Sequence, residues 1–311
     1  MGHFWAVYVS GTVILTGGTG FVGSHLVRAL VADGRDVTIL CRSFSNTKRI
    51  KDVLGHVRRI DLDTTRLSDA VVALDVAGVV HLATTYGRHG SCTTDVFRTN
   101  FLLPVEVLEM AIAKSARFFI NTDSFFCKLQ SGYAAMSEYT YSKTCFLGWA
   151  QKNTDRIHVS NIRLEHVYGS DDGLEKLVPS VLNRMLDPDV HEIPFTTGKQ
   201  RRDFVFVTDI VNAYRCVIAA AEHASPGYAA YEAGTGVSVE IKKFIEKLRD
   251  ASGCKATLAF GTLPYREGEI MDSSADLRTL AKLGYRPQTS LDSGITQLVE
   301  AARKSQSKLL Q

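Results

Sequence analysis

Thr12-Val13-Ile14-Leu15-Thr16-Gly17-Gly18-Thr19-Gly20-Phe21-Val22-Gly23-Ser24-His25-Leu26 reads as a short buried strand, a glycine turn and the opening of a helix. Gly17, Gly20 and Gly23 recur at every third position across the turn. Glycine permits the tight turn and lets backbone amides approach a phosphate, while the helix N-terminus favours its negative charge. Because the glycines follow a strand and open a helix, the pattern predicts a dinucleotide pyrophosphate site.

Downstream of this turn, β-rich runs alternate with helical ones. Strands are predicted at Thr12–Thr16, Asp36–Cys41, Val57–Asp61, Val79–Leu82, Arg117–Thr122 and Ile157–Leu164. Helices are predicted over Phe21–Ala32, over Thr93–Lys114 as one long element, and around Tyr139. Such alternation implies right-handed crossovers and a parallel, doubly wound α/β sheet. Beyond Gly169 the rhythm loosens and Pro179, Pro188, Pro194, Pro226, Pro264 and Pro287 punctuate shorter elements. We place a dinucleotide-binding domain at residues 1–169 and a smaller lobe at 170–311, with the chain recrossing between them.

The 311 residues are 45% hydrophobic and 22% charged, which suits a globular chain and excludes a disordered one. A net charge of +3 gives no reason to expect nucleic acid, and Arg58-Arg59 and Arg201-Arg202 read as surface runs. Residues 4–15 are apolar but too short to span a bilayer. The six cysteines form no Cys-x-x-Cys pair, so a reduced thiol set, a cytoplasmic setting and no metal are expected. Whether Met1-Gly2-His3 is native is not legible.

Tyr139-Thr140-Tyr141-Ser142-Lys143 places a phenol and an ammonium four residues apart, on one face of a helix. Tyr133 and Tyr141 have Ser137 and Cys145 at that spacing, so neither carries the lysine. With the glycine turn, this pair resembles the extended short-chain dehydrogenase/reductases, in their NAD-dependent epimerase/dehydratase branch. The resemblance implies a Rossmann-type sheet with a smaller C-terminal substrate lobe, and it runs from about Val13 to Pro287.

The resemblance assigns Tyr139 as the acid/base and Lys143 as the holder of the nicotinamide ribose. A free tyrosine has a pKa of about 10, and a neighbouring ammonium favours the phenolate. The third member is a Ser or Thr five residues before a Gly. That alignment selects Thr122, but Cys127 replaces the Gly, so Ser124 stays open beside it.

For the cofactor, the resemblance implicates Gly17, Thr19, Gly20, Phe21, Val22 and Gly23 at the pyrophosphate. Asp61 and Leu62 match the adenine position, and Leu82, Ala83 and Thr84 the stretch beneath the dinucleotide, with His81 structural. No Asp or Glu stands between Val37 and Lys51, where an NAD site would take the adenosine ribose hydroxyls. Arg42 and Ser43 occupy that place and suit a 2′-phosphate, so NADP(H) is the expected cofactor.

Toward the substrate, Asp123, Ser124 and His166 align with sugar-side positions, and His166 stands where the branch commonly has Asn. Arg202 in Arg201-Arg202-Asp203-Phe204 and Arg266 in Tyr265-Arg266-Glu267-Gly268 resemble the branch's diphosphate contacts. Arg163-Leu164-Glu165-His166-Val167-Tyr168-Gly169 and Gly234-Thr235-Gly236 are further echoes of it.

A dehydratase of this branch carries Asp-Glu after its Thr, whereas Ser124 follows Asp123 here. The resemblance therefore implies reduction at C4 of a 4-keto-6-deoxyhexose carried on CDP or dTDP. Alternatives are a 4-epimerase with retained NAD, a reductase of a free ketone, and a non-catalytic dinucleotide sensor. A homodimer through the Tyr139 helix and its predecessor is expected, with Phe146, Leu147 and Trp149 as candidate surface.

Overall fold

In the computed structural model, which describes residues 10–87, 90, 92–128 and 134–309, β1 (Thr12–Thr16) is buried over its whole length. Helix α1 (Phe21–Ala32) follows the glycine turn, then β2 (Val37–Cys41), β3 (Arg58–Asp61), the short α2 (Leu67–Ala70) and β4 (Val76–His81). Helix α3 (Thr93–Phe97) continues through a π-helical turn at Arg98–Leu102 into α4 (Leu103–Ala113). Next come β5 (Phe118–Ser124), α5 (Ser137–Gln151), β6 (His158–Leu164) and β7 (His166–Tyr168). The remaining elements are α6 (Leu177–Met185), β8 (Glu192–Phe195), β9 (Arg201–Arg202), β10 (Phe204–Phe206), α7 (Val207–Ala221), β11 (Gly227–Ala233), β12 (Val239–Glu240), α8 (Ile241–Ser252), β13 (Thr257–Phe260) and α9 (Leu291–Leu309). Met1-Gly2-His3 and Tyr133 lie outside the described residues.

The central sheet has seven strands in the order β11-β6-β5-β4-β1-β2-β3. Pairing is parallel from β3 through β2, β1 and β4 to β5, with Leu15 opposite both Ile39 and Val80. Ile14, Val79 and Phe119 enter one cluster with Val107 and Leu108 of α4 and Phe146 of α5. Val13, Leu15 and Val80 are equally buried and, by strand alternation, face the opposite layer. On that layer Arg35, just past α1, holds Glu222, and Arg215 of α7 holds Asp33 at 2.8 Å. Both faces are therefore covered, which accounts for unbroken apolar runs such as Val-Ile-Leu in β1. The fold is the doubly wound, Rossmann-type α/β architecture.

β1 lies between β2 and β4. The chain runs outward from β1 through β2 and β3, then returns to build β4, β5 and β6 on the other side. This reversal opens a crevice at the carboxyl ends of β1 and β4, where ligands bind in open α/β sheets.

By Cα proximity the chain forms two compact units. The first runs through Arg163 and takes back Val211–Glu232 and Arg278–Tyr285. The second comprises Leu164–Ile210, Ala233–Leu277 and the chain from Arg286 onward. It is built on small two-stranded sheets, β10 with β7, β12 with β9 and β13 with β8. Tyr168, Phe204, Phe244, Leu248 and Leu298 form its apolar core.

Three features depart from the pattern in the sequence. The helix predicted over Thr93–Lys114 is interrupted by the π-helical turn, α2 is additional, and β11 extends the sheet from far downstream. β11 shows alternating, weakly buried positions, so it lacks the apolar run that marks the other strands.

Candidate active site

Gly17 adopts φ +68° directly after β1, and a Cβ there would lie 2.6 Å from the Ala83 amide nitrogen. The turn is thus packed against the segment leaving β4 as closely as backbone allows. At Gly23 a Cβ would lie 2.1 Å from the Gly17 carbonyl oxygen. The first turn of α1 therefore sits directly on the loop, with Gly20 N–H donating to Gly17 O at 2.9 Å. Gly20 is the N-cap, it offers no side-chain cap, and no acidic residue occupies the first turn. Thr19 and Val22 are half-buried on this loop and Phe21 is buried beneath it. This cradle, which side chains would fill, fits a pyrophosphate.

Thr16 fixes the second wall. Its hydroxyl accepts from Leu82 N–H and Ala83 N–H, both at 3.2 Å. Its own proton then goes to His81 Nδ1 at 2.7 Å, which leaves the imidazole proton on Nε2. His81 is 1% exposed, and burial, helped by the Lys143 charge, lowers its pKa to about 3. A permanently neutral ring stacked on Phe119 is a positioning group. Thr84 donates to Asn100 Oδ1 at 3.2 Å.

Asn100 is a site residue that the motifs did not single out. It stands in the π-helical turn, buried, and its amide donates to Thr85 O at 2.8 Å and Ser142 Oγ at 3.2 Å. It also accepts from Thr85 N–H at 2.9 Å. One side chain thereby ties the segment after β4 to the helix carrying Tyr139. The run Arg98-Thr99-Asn100-Phe101 carries no pattern that would single it out.

At the carboxyl ends of β2 and β3 the structure gathers Arg42, Ser43, Asp61 and Asp63. Arg42 Nε donates to Asp63 Oδ1, and Ser43 N–H donates to Asp63 Oδ2 at 2.9 Å. Ser43 Oγ donates to Asp61 Oδ2 at 2.6 Å, and this bond first of all holds the Asp61 carboxyl below its ordinary pKa. Leu62 is half-buried beside them. Two carboxylates from the end of β3 and the turn after it thus flank the end of β2.

At the other end, Tyr139 and Lys143 are both buried on α5. Lys143 Nζ donates to the Thr122 carbonyl at 2.8 Å and lies 5.5 Å from the centroid of the Tyr139 ring. Burial lowers the Lys143 pKa, opposed by Asp123 and Cys127. Burial raises that of Tyr139 well above the ordinary tyrosine value, reinforced by Tyr86 and Cys127, while a hydrogen bond from Ser124 works the other way. In the free chain burial outweighs any pull of the ammonium toward the phenolate, and the phenol keeps its proton. Tyr86 stacks on Tyr139 with ring centroids 4.9 Å apart.

The two candidate hydroxyls part company. Ser124 is the hydroxyl that opposes the upward shift of the Tyr139 pKa, and its Oγ accepts from Phe126 N–H at 3.3 Å. Thr122 shares a 2.6 Å bond with the phenol of Tyr214 on α7, a fully buried residue. Asp123 points elsewhere again, taking Ser124 N–H at 2.8 Å, Arg163 Nε at 3.0 Å and Asn161 Nδ2 at 3.3 Å. Burial, reinforced by the Asp123 charge, pushes the Cys127 thiol up to about 12. Phe146 is core, 1% exposed, whereas Tyr141 and Trp149 stand exposed on the same helix.

In the second unit, His166 is half-buried with its ring 4.9 Å from that of Phe204, and burial together with the Arg202 charge lowers its pKa to about 3. The Arg201-Arg202 run does not behave as a surface pair. Arg202 is 4% exposed, donates to Arg201 O at 2.8 Å and Ile270 O, and pairs with Glu269. Arg266 is exposed. Asp203, next to Arg202, accepts from Thr235 N–H, Gly236 N–H and Ala275 N–H. That single carboxylate organises the Gly234-Thr235-Gly236 loop, so these two motifs occur together for a structural reason.

Residues 13–234 match the NAD dependent epimerase/dehydratase family. A CDP-abequose synthase from Salmonella typhimurium is 35% identical over 294 residues, covering 93% of this chain and 97% of the relative. A dTDP-4-dehydro-6-deoxyglucose reductase from Escherichia coli is 24% identical, covering 94% and 97%. Among solved structures, MoeE5 in complex with UDP-glucose and NAD superimposes with a TM-score of 0.80 at 25% identity, covering 95% of this chain and 100% of that one.

Proposed function

Because this chain belongs to the NAD dependent epimerase/dehydratase family, we propose that it reduces the C4 ketone of a 4-keto-6-deoxyhexose carried on CDP or dTDP. The cofactor in this reading is NADPH, held by the Gly17–Gly23 cradle, the Leu82-Ala83-Thr84 wall, Lys143 and the Arg42-Ser43 corner. When bound, it supplies the hydride that a carbonyl carbon accepts. Tyr139 holds a proton ready for the carbonyl oxygen, and its upward-shifted pKa keeps that proton in place at neutral pH. Ser124, whose hydroxyl influences the Tyr139 phenol while that of Thr122 is taken by Tyr214, is assigned the developing oxyanion, with Thr122 the alternative that alignment selects. The C=O bond becomes an H–C–O–H unit, hydride on carbon and proton on oxygen.

The observation that carries the reading is the commitment of Asp123 to Arg163. A dehydration needs a second acid beside Tyr139. Here the adjacent carboxylate is 4% exposed and ion-paired, and Ser124 stands where a Glu would act. One available proton donor suits a simple reduction. Names of the relatives support it, since one is a 4-dehydro-6-deoxysugar reductase. Exposed Arg266 is proposed for the diphosphate; Arg202 would serve there only on release from Glu269. A homodimer through α5 is proposed on Tyr141 and Trp149 rather than Phe146.

One observation favours a second reading. Asp61 offers a carboxylate that would accept from the ribose hydroxyls of NAD, which would suit a 4-epimerase with tightly held NAD. Incubation with CDP- and dTDP-linked 4-keto-6-deoxyglucose separates the two. The reductase consumes one NADPH per sugar. An epimerase leaves the ketosugar and NADPH unconsumed and instead interconverts C4 epimers of a nucleotide sugar bearing a C4 hydroxyl, supplied in a parallel incubation, and that result would overturn the proposal.

A further inference from the structure

The corner at the ends of β2 and β3 contains a competition. Asp63 grips two donors with its two oxygens, the guanidinium of Arg42 and the amide of Ser43 at 2.9 Å. Those are the donors that a phosphate on the adenosine ribose would need. The grip is organised. Asp61 Oδ1 accepts from Asp63 N–H at 3.0 Å, which fixes the turn, and Arg42 N–H donates to Ser45 Oγ at 3.0 Å. The guanidinium carbon also lies 5.1 Å from the centroid of Phe44.

From this geometry we infer that Asp63 is a cofactor-selectivity residue that holds down the preference for a 2′-phosphorylated dinucleotide. The inference rests on the reading of Arg42 as a phosphate contact and adds a residue to it. A 2′-phosphate carries more charge than a carboxylate and takes Arg42 from Asp63. Asp63 is then left beside a dianion, tethered two residues from Asp61, and both carboxylates repel it. A dinucleotide with a free 2′-hydroxyl disturbs neither Arg42 nor Asp63. Arg42 is half-exposed and Asp63 about a quarter exposed, so solvent screens the pair and the effect is moderate.

Quenching of intrinsic fluorescence gives the dissociation constants of NADPH and NADH for wild type, Asp63→Asn, Arg42→Ala and the double variant. Asp63→Asn is expected to tighten NADPH by about three- to tenfold and to leave NADH within about twofold. Arg42→Ala weakens NADPH by about tenfold or more. In the Arg42→Ala background Asp63→Asn shifts the NADPH:NADH ratio less than in wild type, because only the direct repulsion of the phosphate remains; an equal shift in both backgrounds would contradict the competition for Arg42. A ratio measured on one preparation is insensitive to any misfolded fraction. If Asp63→Asn leaves the ratio unchanged or moves it toward NADH, the inference is wrong. Wild type binding NADH more tightly than NADPH would instead defeat the cofactor reading, and the shift in Asp63→Asn would still report on Asp63.

Discussion

The two ends of the dinucleotide crevice in the first unit handle charge in opposite ways. At the β2–β3 corner, proposed for the adenosine, Arg42, Ser43 and Asp63 are exposed, and their bonds form at a solvated strand edge. At the chemical end Tyr139, Lys143 and Asp123 are each less than a tenth exposed. In water a pair of charges is weak and adjustable, so the first end can set preference by small factors. Out of water, burial itself decides protonation, and the second end has an acid held in one state.

The sharpest way to break this contrast is at Tyr139. Tyr139→Phe keeps the ring and its stack on Tyr86 but removes the proton. It should lower kcat by about a hundred- to ten-thousandfold while NADPH binding stays near wild type. Persistent turnover would sink the assignment. Next in size is the division between the hydroxyls. Ser124→Ala should cost about a hundredfold in kcat. Thr122→Val, which loses a bond to Tyr214 outside the reacting group, should act mainly through stability. The reverse ranking would return the oxyanion role to Thr122.

Much of this arrangement was legible in the sequence. β1, the glycine turn and α1 follow from residues adjacent in the chain, and their bounds coincide with those predicted. What escaped depends on partners that arrive late. Thr122 and Tyr214 are separated by 92 positions, and Arg202 and Glu269 by 67. No spacing rule reaches across such distances. Ser124 sits at the last position of β5, where strand alternation no longer dictates direction. Asn100 was hidden because the π-helical turn that aims it is a tertiary accommodation. β11 escaped because an edge strand need not bury both faces.

The buried end should also reveal itself in acid. His81 has its pKa lowered to about 3 in the fold, against about 6.5 when unfolded. Its contribution is complete above pH 6.5 and declines as pH falls toward 3, because only the unfolded chain takes up the proton. At pH 5 the loss is about 2 kcal/mol. His81→Asn should be less stable at pH 7.5 yet lose less between pH 7.5 and 5, measured by urea denaturation. An unchanged pH dependence would contradict the account. His166 adds a smaller share, because it keeps some solvent contact.

At the exposed end effects are smaller and salt-dependent. The advantage of NADPH over NADH should shrink by a few-fold as ionic strength rises from about 0.01 to 1 M, where the Debye length falls from about 30 to 3 Å. Titration of both cofactors across that range measures it, and a salt-independent ratio would place the discrimination away from Arg42.

The central claim is the delivery of hydride to C4 of a nucleotide-linked sugar. NADPH deuterated at the transferring position, incubated with CDP- or dTDP-linked 4-keto-6-deoxyglucose, tests it directly by NMR of the product. The account predicts one deuterium on C4, a hydroxyl replacing the ketone and one equivalent of oxidised cofactor. Product free of deuterium at C4, or ketosugar and cofactor both unconsumed, would contradict it.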